Sequence, residues 1–335
     1  MKIGILFPGY GSQFVGMAKE LYDHSRVIQE YFEVASHCLE LNFVKLCFAS
    51  SDMELSKLNN AYPALFLVST AVAEYLKELG VQAHYVAGYG IGEYGAVSFG
   101  GGLSFADGLY LLKKLAEFYL NIRQTLDVKS VIIDGLSSRK LKQICGDNTS
   151  DGGSAQISIY EGEKEHLVSG HTDAVDAVAQ QASDEGANKI KKSENEDALH
   201  TPILSALSDQ LRMYLNKVDF KDLDIPLITG LSGKEVIKAK KAQDSIMGQI
   251  IKPVYWLSVL RQFAQVEIIL VVAPAKSLCQ EIRALYPDKI ILGIDCMADI
   301  KAMLEIIKPE GKSEKVSQKA FISDIMEEGL EHHSV

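Results

Sequence analysis

The chain has no run of about 20 uncharged apolar residues, the length a helix needs to cross a bilayer. It also lacks a secretory pattern. Met1 to Gln13 carries one lysine and a short apolar run, without an extended apolar region or a small-residue cleavage site. Cysteine is sparse: Cys38, Cys47, Cys145, Cys279 and Cys296 are dispersed, with no C-x-x-C spacing. That pattern argues against a disulfide framework and a structural metal site, and suits reduced thiols in the cytoplasm. Each cysteine is expected to be a small buried apolar residue. Positive charge is scarce too. Lys and Arg total 34 against 44 Asp and Glu, a net charge of −10, which weighs against nucleic acid as a partner. The nearest things to basic patches are Lys234, Lys238, Lys240 and Lys241, and then Lys189, Lys191 and Lys192. Such clusters are ordinarily solvated faces, although they leave room for an acidic protein partner.

What is present is ordinary globular composition, 47% hydrophobic and 23% charged over 335 residues. That length accommodates one large core with a smaller subdomain, or two domains. Short apolar runs next to turn signals alternate with amphipathic stretches, the pattern of an α/β fold. Ile3 to Phe7 reads as a buried strand, stopped by Pro8-Gly9-Tyr10-Gly11. Pro63 to Leu79 reads as a helix with proline at its start. His84 to Ala87 reads as a strand running into Gly88-Tyr89-Gly90-Ile91-Gly92, and Glu93 to Phe99 as the helix that follows. Leu103 to Leu120 is amphipathic, with Ser104 as its N-cap and Asp107 where a capping box usually has Glu or Gln.

Between residues 128 and 195 the rhythm changes. Val131–Leu136, Ala155–Tyr160, His166–Gly170 and Asn188–Lys192 read as strands. Ser137–Cys145 and Thr172–Ser183 read as helices, with Thr172 as an N-cap. The order β-α-β-β-α-β is that of a ferredoxin-like subdomain inserted in a larger body. From His200 the earlier pattern resumes, with strands at Ile225–Thr229 and Glu267–Val272 and a helix containing Ser245 to Ile251. Lys308 to Lys319 reads as a charged linker and Ala320 to Leu330 as a short helix.

Three segments carry chemistry. Phe7 to Gln13 is a glycine-rich turn after a strand, which can bring backbone N–H groups against a ligand, though most such turns only connect elements. Gly88 to Glu93 has the strand–turn–helix context of a nucleophile elbow, in which the N–H after the central residue helps form an oxyanion hole. Its centre is Gly90, so spacing alone favours a plain connecting turn. His200, followed by Thr201-Pro202, is a base near neutral pH if it lies in a site, and otherwise a structural histidine.

Together these segments resemble the malonyl-CoA:acyl-carrier-protein transacylase family, which includes the acyltransferase domains of polyketide synthases. Phe7 to Gln13 with Gly16-Met17 is similar to the family's F-P-G-Q-G-S-Q…G-M. Pro63-Ala64-Leu65 is similar to a segment ahead of the elbow, Gly88 to Tyr94 to G-H-S-L-G-E-Y, and Leu103 to Asp107 to the segment after it. Leu167 to His171 resembles V-I-A-G-H, and His200 to Leu204 resembles H-S-P-L-M. Gln249 and Pro253-Val254-Tyr255-Trp256 resemble Q…P-V-x-W. The resemblance covers roughly residues 1 to 295, in the family's order.

The resemblance implies an α/β-hydrolase-like domain over residues 1–127 and 196–307, a ferredoxin-like subdomain over 128–195 and a charged tail over 308–335. It implies a serine that takes the acyl group from a coenzyme A thioester and passes it to the phosphopantetheine thiol of an acyl carrier protein. By the same resemblance, His200 would be the base, oriented by a backbone carbonyl at Gln249. The backbone N–H groups of Tyr10 and Ile91 would form the oxyanion hole, and no metal or redox cofactor is implied.

The chain departs from that pattern in the site itself. Gly90 stands where the serine belongs, Tyr89 where the preceding histidine belongs, and Leu115 where an arginine would pair with a malonyl carboxylate. Tyr10 replaces a glutamine. Covalent transfer needs a nucleophile within reach of its base, and the phenols of Tyr89 and Tyr94 are poor replacements, with an ordinary pKa of about 10. Without the arginine a buried carboxylate would be unpaired, so a neutral acyl group suits Leu115 better. The expectation is a family member that binds an acyl-CoA, a carrier protein or a synthase partner without covalent catalysis. The competing readings are an enzyme with another nucleophile or direct transfer, an engineered exchange at Gly90, and a purely structural role. Exchanges at both Tyr89 and Leu115 count against a single engineered change.

Overall fold

The computed structural model describes residues 1–150, 153–193 and 198–307. The expected linker, C-terminal helix and tail beyond residue 307, and the expected boundary at 195/196, lie outside the described residues. Ten strands occur among them: β1 (Ile3–Phe7), β2 (Tyr85–Gly88), β3 (Val128–Asp134), β4 (Ala155–Tyr160), β5 (Glu165–His171), β6 (Lys189–Lys192), β7 (Leu227–Ile228), β8 (Glu235–Val236), β9 (Ile268–Val272) and β10 (Ile290–Ile294). They form a mixed α/β architecture with two sheets. The larger runs β10-β9-β1-β2-β7-β8, parallel except for the β7–β8 pair. The smaller runs β4-β5-β3-β6 and is antiparallel.

The sequence of β1, Ile-Gly-Ile-Leu-Phe, explains its central place. Every residue is buried, as a parallel strand covered by helices on both faces requires. β1 pairs with β2 so that Phe7 lies opposite Gly88, and with β9 so that Ile3 lies opposite Ile268. Helix Leu58–Glu78 has 15 buried residues, including Pro63, and packs mainly against helices Arg26–Leu39, Gly92–Phe99 and Phe105–Arg123. Here the structure corrects the expected start, because the helix begins five residues before Pro63. The ring removes one helical N–H donor, and burial of that face offsets the loss.

Local capping follows the sequence at one helix and not at another. Ser104 accepts the Asp107 N–H at 3.1 Å and donates its hydroxyl to Asp107 Oδ2 at 2.6 Å, ahead of helix Phe105–Arg123. Thr172 is not a cap. His171 occupies that position, and Thr172 donates instead to Asp127 Oδ1 at 2.5 Å. The strand expected at Val131–Leu136 begins at Val128 and ends at Asp134, and the strand expected at Ile225–Thr229 narrows to Leu227–Ile228. Cys47, Cys145 and Cys279 are buried as expected, whereas Cys38 is exposed and Cys296 half-buried. Cys38 falls beside the Ile28–Phe32–Ala35 stripe that helix Arg26–Leu39 turns inward.

In the small sheet, helices Ser138–Asp147 and Thr172–Asp184 cover one face, closing a core of Val131, Ile133, Ile157, Val168, Leu141 and Val175. The free edge of β4 joins the large body through Tyr160 N–H to Val254 O at 2.8 Å and Val254 N–H to Ser158 O at 2.9 Å. The Tyr160 and Tyr255 rings stack across the same junction at 4.7 Å. No helix among the described residues is long and apolar enough to cross a membrane.

Phe7 ends β1, is fully buried and packs its ring 6.0 Å from that of Phe99 on the elbow helix. Phe7→Ala should cost about 3–5 kcal/mol of stability, measured by urea denaturation. A cost below about 1 kcal/mol would mean that this end of the sheet is not the close-packed core described.

Candidate functional site

The parallel register of β1 and β2 delivers two loops to the same end of the sheet. Tyr89 N–H donates to Phe7 O at 3.0 Å. Gly9 comes so close to the second loop that a Cβ there would lie 2.4 Å from Tyr89 O. The sheet thereby places Tyr10 and Tyr89 along one cavity.

The elbow itself is a tight turn into helix Gly92–Phe99, with Gly92 N–H on Tyr89 O at 2.9 Å and Glu93 N–H on Gly90 O at 3.1 Å. Gly90 has φ +53, the left-handed conformation that costs other residues roughly 1–2 kcal/mol. A Cβ built at Gly90 meets nothing within 4 Å. The turn of a nucleophile elbow is thus kept, with open space where a side chain would project, but without the side chain.

His200 is buried, and it too has a left-handed backbone, φ +64. Its N–H donates to Ile250 O at 3.0 Å, and its Nδ1 makes a short hydrogen bond to Gln249 O. A carbonyl only accepts, so Nδ1 carries the proton and Nε2 keeps the lone pair. Burial holds the His200 pKa down at about 4, against the opposing pull of the Gln249 carbonyl. The ring is therefore neutral at pH 7.

Glu93, on the elbow helix, lies beside Gln249, the residue whose carbonyl meets His200. Its side chain is fully buried, and Oε2 accepts the Gly230 N–H at 2.7 Å. Burial pushes its carboxyl up to about 7, opposed by Ser245, the Gly230 N–H and the Gln249 amide beside it. Glu93 Oε1, Ser245 Oγ and Gln249 Nε2 nevertheless complete no hydrogen bond among the described residues. Gln249 thus meets Glu93 with its side chain and His200 with its carbonyl. Burial, with Glu93 beside it, raises the Tyr94 phenol. That leaves Tyr94 still less nucleophilic than an ordinary tyrosine.

Tyr89 leaves the elbow on the other side. Its hydroxyl makes a short hydrogen bond to Glu161 Oε1 in the turn after β4, and its ring meets Trp256 edge-on at 5.1 Å. Tyr10 and Tyr89 line a cavity of about 640 Å³ with Ser12, Leu257, Leu278, Glu161, Glu163, Glu165 and Glu281. Burial, then the charge of Glu281, push Glu161 up to about 8. Burial pushes Glu281 up to about 7, opposed by the Trp256 N–H on its Oε1 at 2.7 Å. Tyr10 donates its hydroxyl to Ser56 O at 2.8 Å.

Leu115 does not share this space. It is buried in the main apolar cluster with Ile91 and Leu199, while Tyr89 packs against a separate cluster around Trp256. Tyr89 and Leu115 thus pack in different apolar clusters. Sequence reasoning also missed the acidic wall. Glu161-Gly-Glu-Lys-Glu165 reads as a charged hairpin turn, and nothing in it signals that Tyr89 would come to face it.

The proton on Glu93 is favoured in the folded state, so the associated stabilisation is full below the ordinary carboxylate range and is lost as the pH rises through about 7. Glu93→Gln removes that loss, so its melting temperature relative to the unaltered chain should rise between about pH 5 and about pH 8. Parallel pH profiles would remove Glu93 from this role. Tyr89→Phe leaves the Glu161 carboxyl without its phenol and should cost about 1–3 kcal/mol in urea denaturation; no loss would mean that the contact is not maintained.

The family model described as "Acyl transferase domain" matches residues 5–268. The chain is 31% identical over 253 residues to the malonyl CoA-acyl carrier protein transacylase of Bacillus subtilis (strain 168), covering 76% of this chain and 80% of that one. The solved malonyl CoA-acyl carrier protein transacylase of Coxiella burnetii superposes with TM-score 0.86 at 23% identity, over 91% of this chain and 97% of that one. A malonyl-transacylase solved in complex with its type II polyketide synthase acyl-carrier protein gives TM-score 0.86 at 20% identity, over 91% and 100% of the two chains. This chain belongs to the acyl transferase domain family, and within it is similar to the malonyl-CoA:acyl-carrier-protein transacylases.

Proposed function

We propose that this protein is a transacylase homologue that binds an acyl-CoA or an acyl carrier protein in fatty-acid or polyketide synthesis, in the cytoplasm, without forming an acyl-enzyme. The observation that carries this reading is Gly90: the turn is left-handed and open above its Cα, yet no nucleophile stands there. The base half of the site supports it from the other side, since His200 is buried, neutral and held by Gln249. A neutral base with no hydroxyl to deprotonate retains its hydrogen-bonding capacity and loses covalent catalysis. In this reading the backbone N–H groups of Tyr10 and Ile91 receive a thioester carbonyl oxygen, and Tyr89 and Leu115 shape two separate walls of the site. Leu115, in the place of an arginine, favours a neutral acyl group over malonyl. The large sheet with its helices, over 1–127 and 196–307, serves as the α/β-hydrolase-like body. The β-α-β-β-α-β segment over 128–195, with sheet order β4-β5-β3-β6, serves as an inserted ferredoxin-like subdomain. The partner that fits is a carrier protein or a synthase that presents one.

The first test is intact-mass analysis after incubation with a panel of acyl-CoAs, together with calorimetric titration of coenzyme A and carrier protein. Binding with no mass adduct is expected; a stable acyl adduct would sink the reading and reveal another nucleophile. In a second test, Gly90→Ser should restore acylation if only the nucleophile is missing. Folded Gly90→Ser protein that binds but is not acylated would mean that the base and oxyanion groups have also diverged.

A further inference from the structure

His200 is held at more points than the family resemblance supplies. Its N–H is fixed on Ile250 O and its ring on Gln249 O, both from helix Ala239–Ile251 of the large body. Its own carbonyl accepts a third hydrogen bond, from Gln156 Nε2 at 3.0 Å, and that donor belongs to β4 of the small sheet. The three contacts bracket a non-glycine residue at φ +64. A backbone in that region costs energy and persists only where its surroundings over-determine it. Removal of one bracket would let the peptide relax and turn the ring off the Gln249 carbonyl.

The sequence of β4 shows why the third contact comes from this position. Side chains alternate along a strand. Ala155 and Ile157 enter the small-sheet core beneath its helices. Gln156 and Ser158 therefore face the opposite way, where Ser158 Oγ shares a hydrogen bond with Ser169 Oγ at 2.7 Å. The β4 backbone is in turn clamped to the large body at Val254 by the two main-chain bonds of Ser158 and Tyr160. Gln156 thus sits two residues from a fixed point, with a side chain long enough to reach His200 and an amide able to donate to its carbonyl.

We propose that Gln156 is a positioning residue for His200: through its hydrogen bond to the His200 carbonyl, the small sheet fixes the backbone and hence the ring orientation of the site's base. The idea rests on reading His200 as the base of the site, but its test needs neither ligand nor turnover, so failure of the binding proposal and failure of this one are separable.

The experiment is nitrogen and carbon NMR of the full chain labelled in its eight histidines, with the His200 signals assigned from a His200→Gln variant. In the unaltered protein His200 should show a single tautomer, protonated on Nδ1 and bare on Nε2, through neutral pH. In Gln156→Met the His200 nitrogen shifts should move towards a mixture of tautomers. Its titration midpoint should rise by about one pH unit or more as water gains access to the ring. Gln156→Ala serves in the same way should the methionine variant fail to fold. Ile157→Val is the control for a general loosening of β4, since its side chain lies in the small-sheet core on the face turned away from Gln156, and it should leave the His200 signals in place. The proposal is overturned if folded Gln156 variants keep the native tautomer and midpoint, or if Ile157→Val shifts them equally.

Discussion

The parallel pairing of β1 with β2 is the constraint on which the remainder of the site depends. Two strands of almost wholly apolar residues lie side by side with Phe7 opposite Gly88, and parallel strands end at the same edge of their sheet. The loops that follow them therefore converge, although more than 70 residues separate them in the chain. Burial of β1 and β9 on both faces holds that register, because a slip by one residue would reverse which side chains meet each helical layer. The close approach of Gly9 to Tyr89 O is then a consequence of the strand ends rather than a separate feature.

On this base the site is divided between two apolar clusters. On one side lie Ile91, Leu115 and Leu199, and on the other Tyr89 against Trp256. The sheet separates them, since Ile5 and Phe7 of β1 fall in one cluster and Leu6 in the other, and a Cβ at Gly90 would meet nothing within 4 Å. Buried polar groups connect His200 to the elbow helix: Glu93 lies beside Gln249, and the Gln249 carbonyl meets the His200 ring. Such groups are costly to bury unless they are paired. Glu161, Glu163, Glu165 and Glu281 line the neighbouring cavity, where burial pushes Glu161 up to about 8 and Glu281 up to about 7 and Glu163 pairs with Arg261.

Much of the fold was legible in the sequence because its signals are local. Apolar runs bounded by glycine and proline marked β1, β2, β4 and β9 to within a residue or two, and Ser104 announced its helix. Errors fell where tertiary packing overrides local preference. Pro63 reads as a helix start, yet the helix begins earlier because the preceding turn also has a buried face. Thr172 reads as a cap but spends its hydroxyl on Asp127, a neighbour brought by the fold. Cys38 reads as buried, but it lies one residue off the inward stripe of its helix.

The sequence by itself determined the family, the order of the elements and the identity of the residue at the nucleophile position, since each is carried by residue types at fixed spacing. Glycine at position 90 has no hydroxyl in any conformation. The tertiary structure alone decided which groups meet. It placed the Tyr89 phenol on Glu161, separated Tyr89 from Leu115, and gave His200 its three anchors from two different sheets' layers. The physical reason is that hydrogen bonds and burial act over a few ångströms in space, and spacing along a chain does not report which distant segments come within that range.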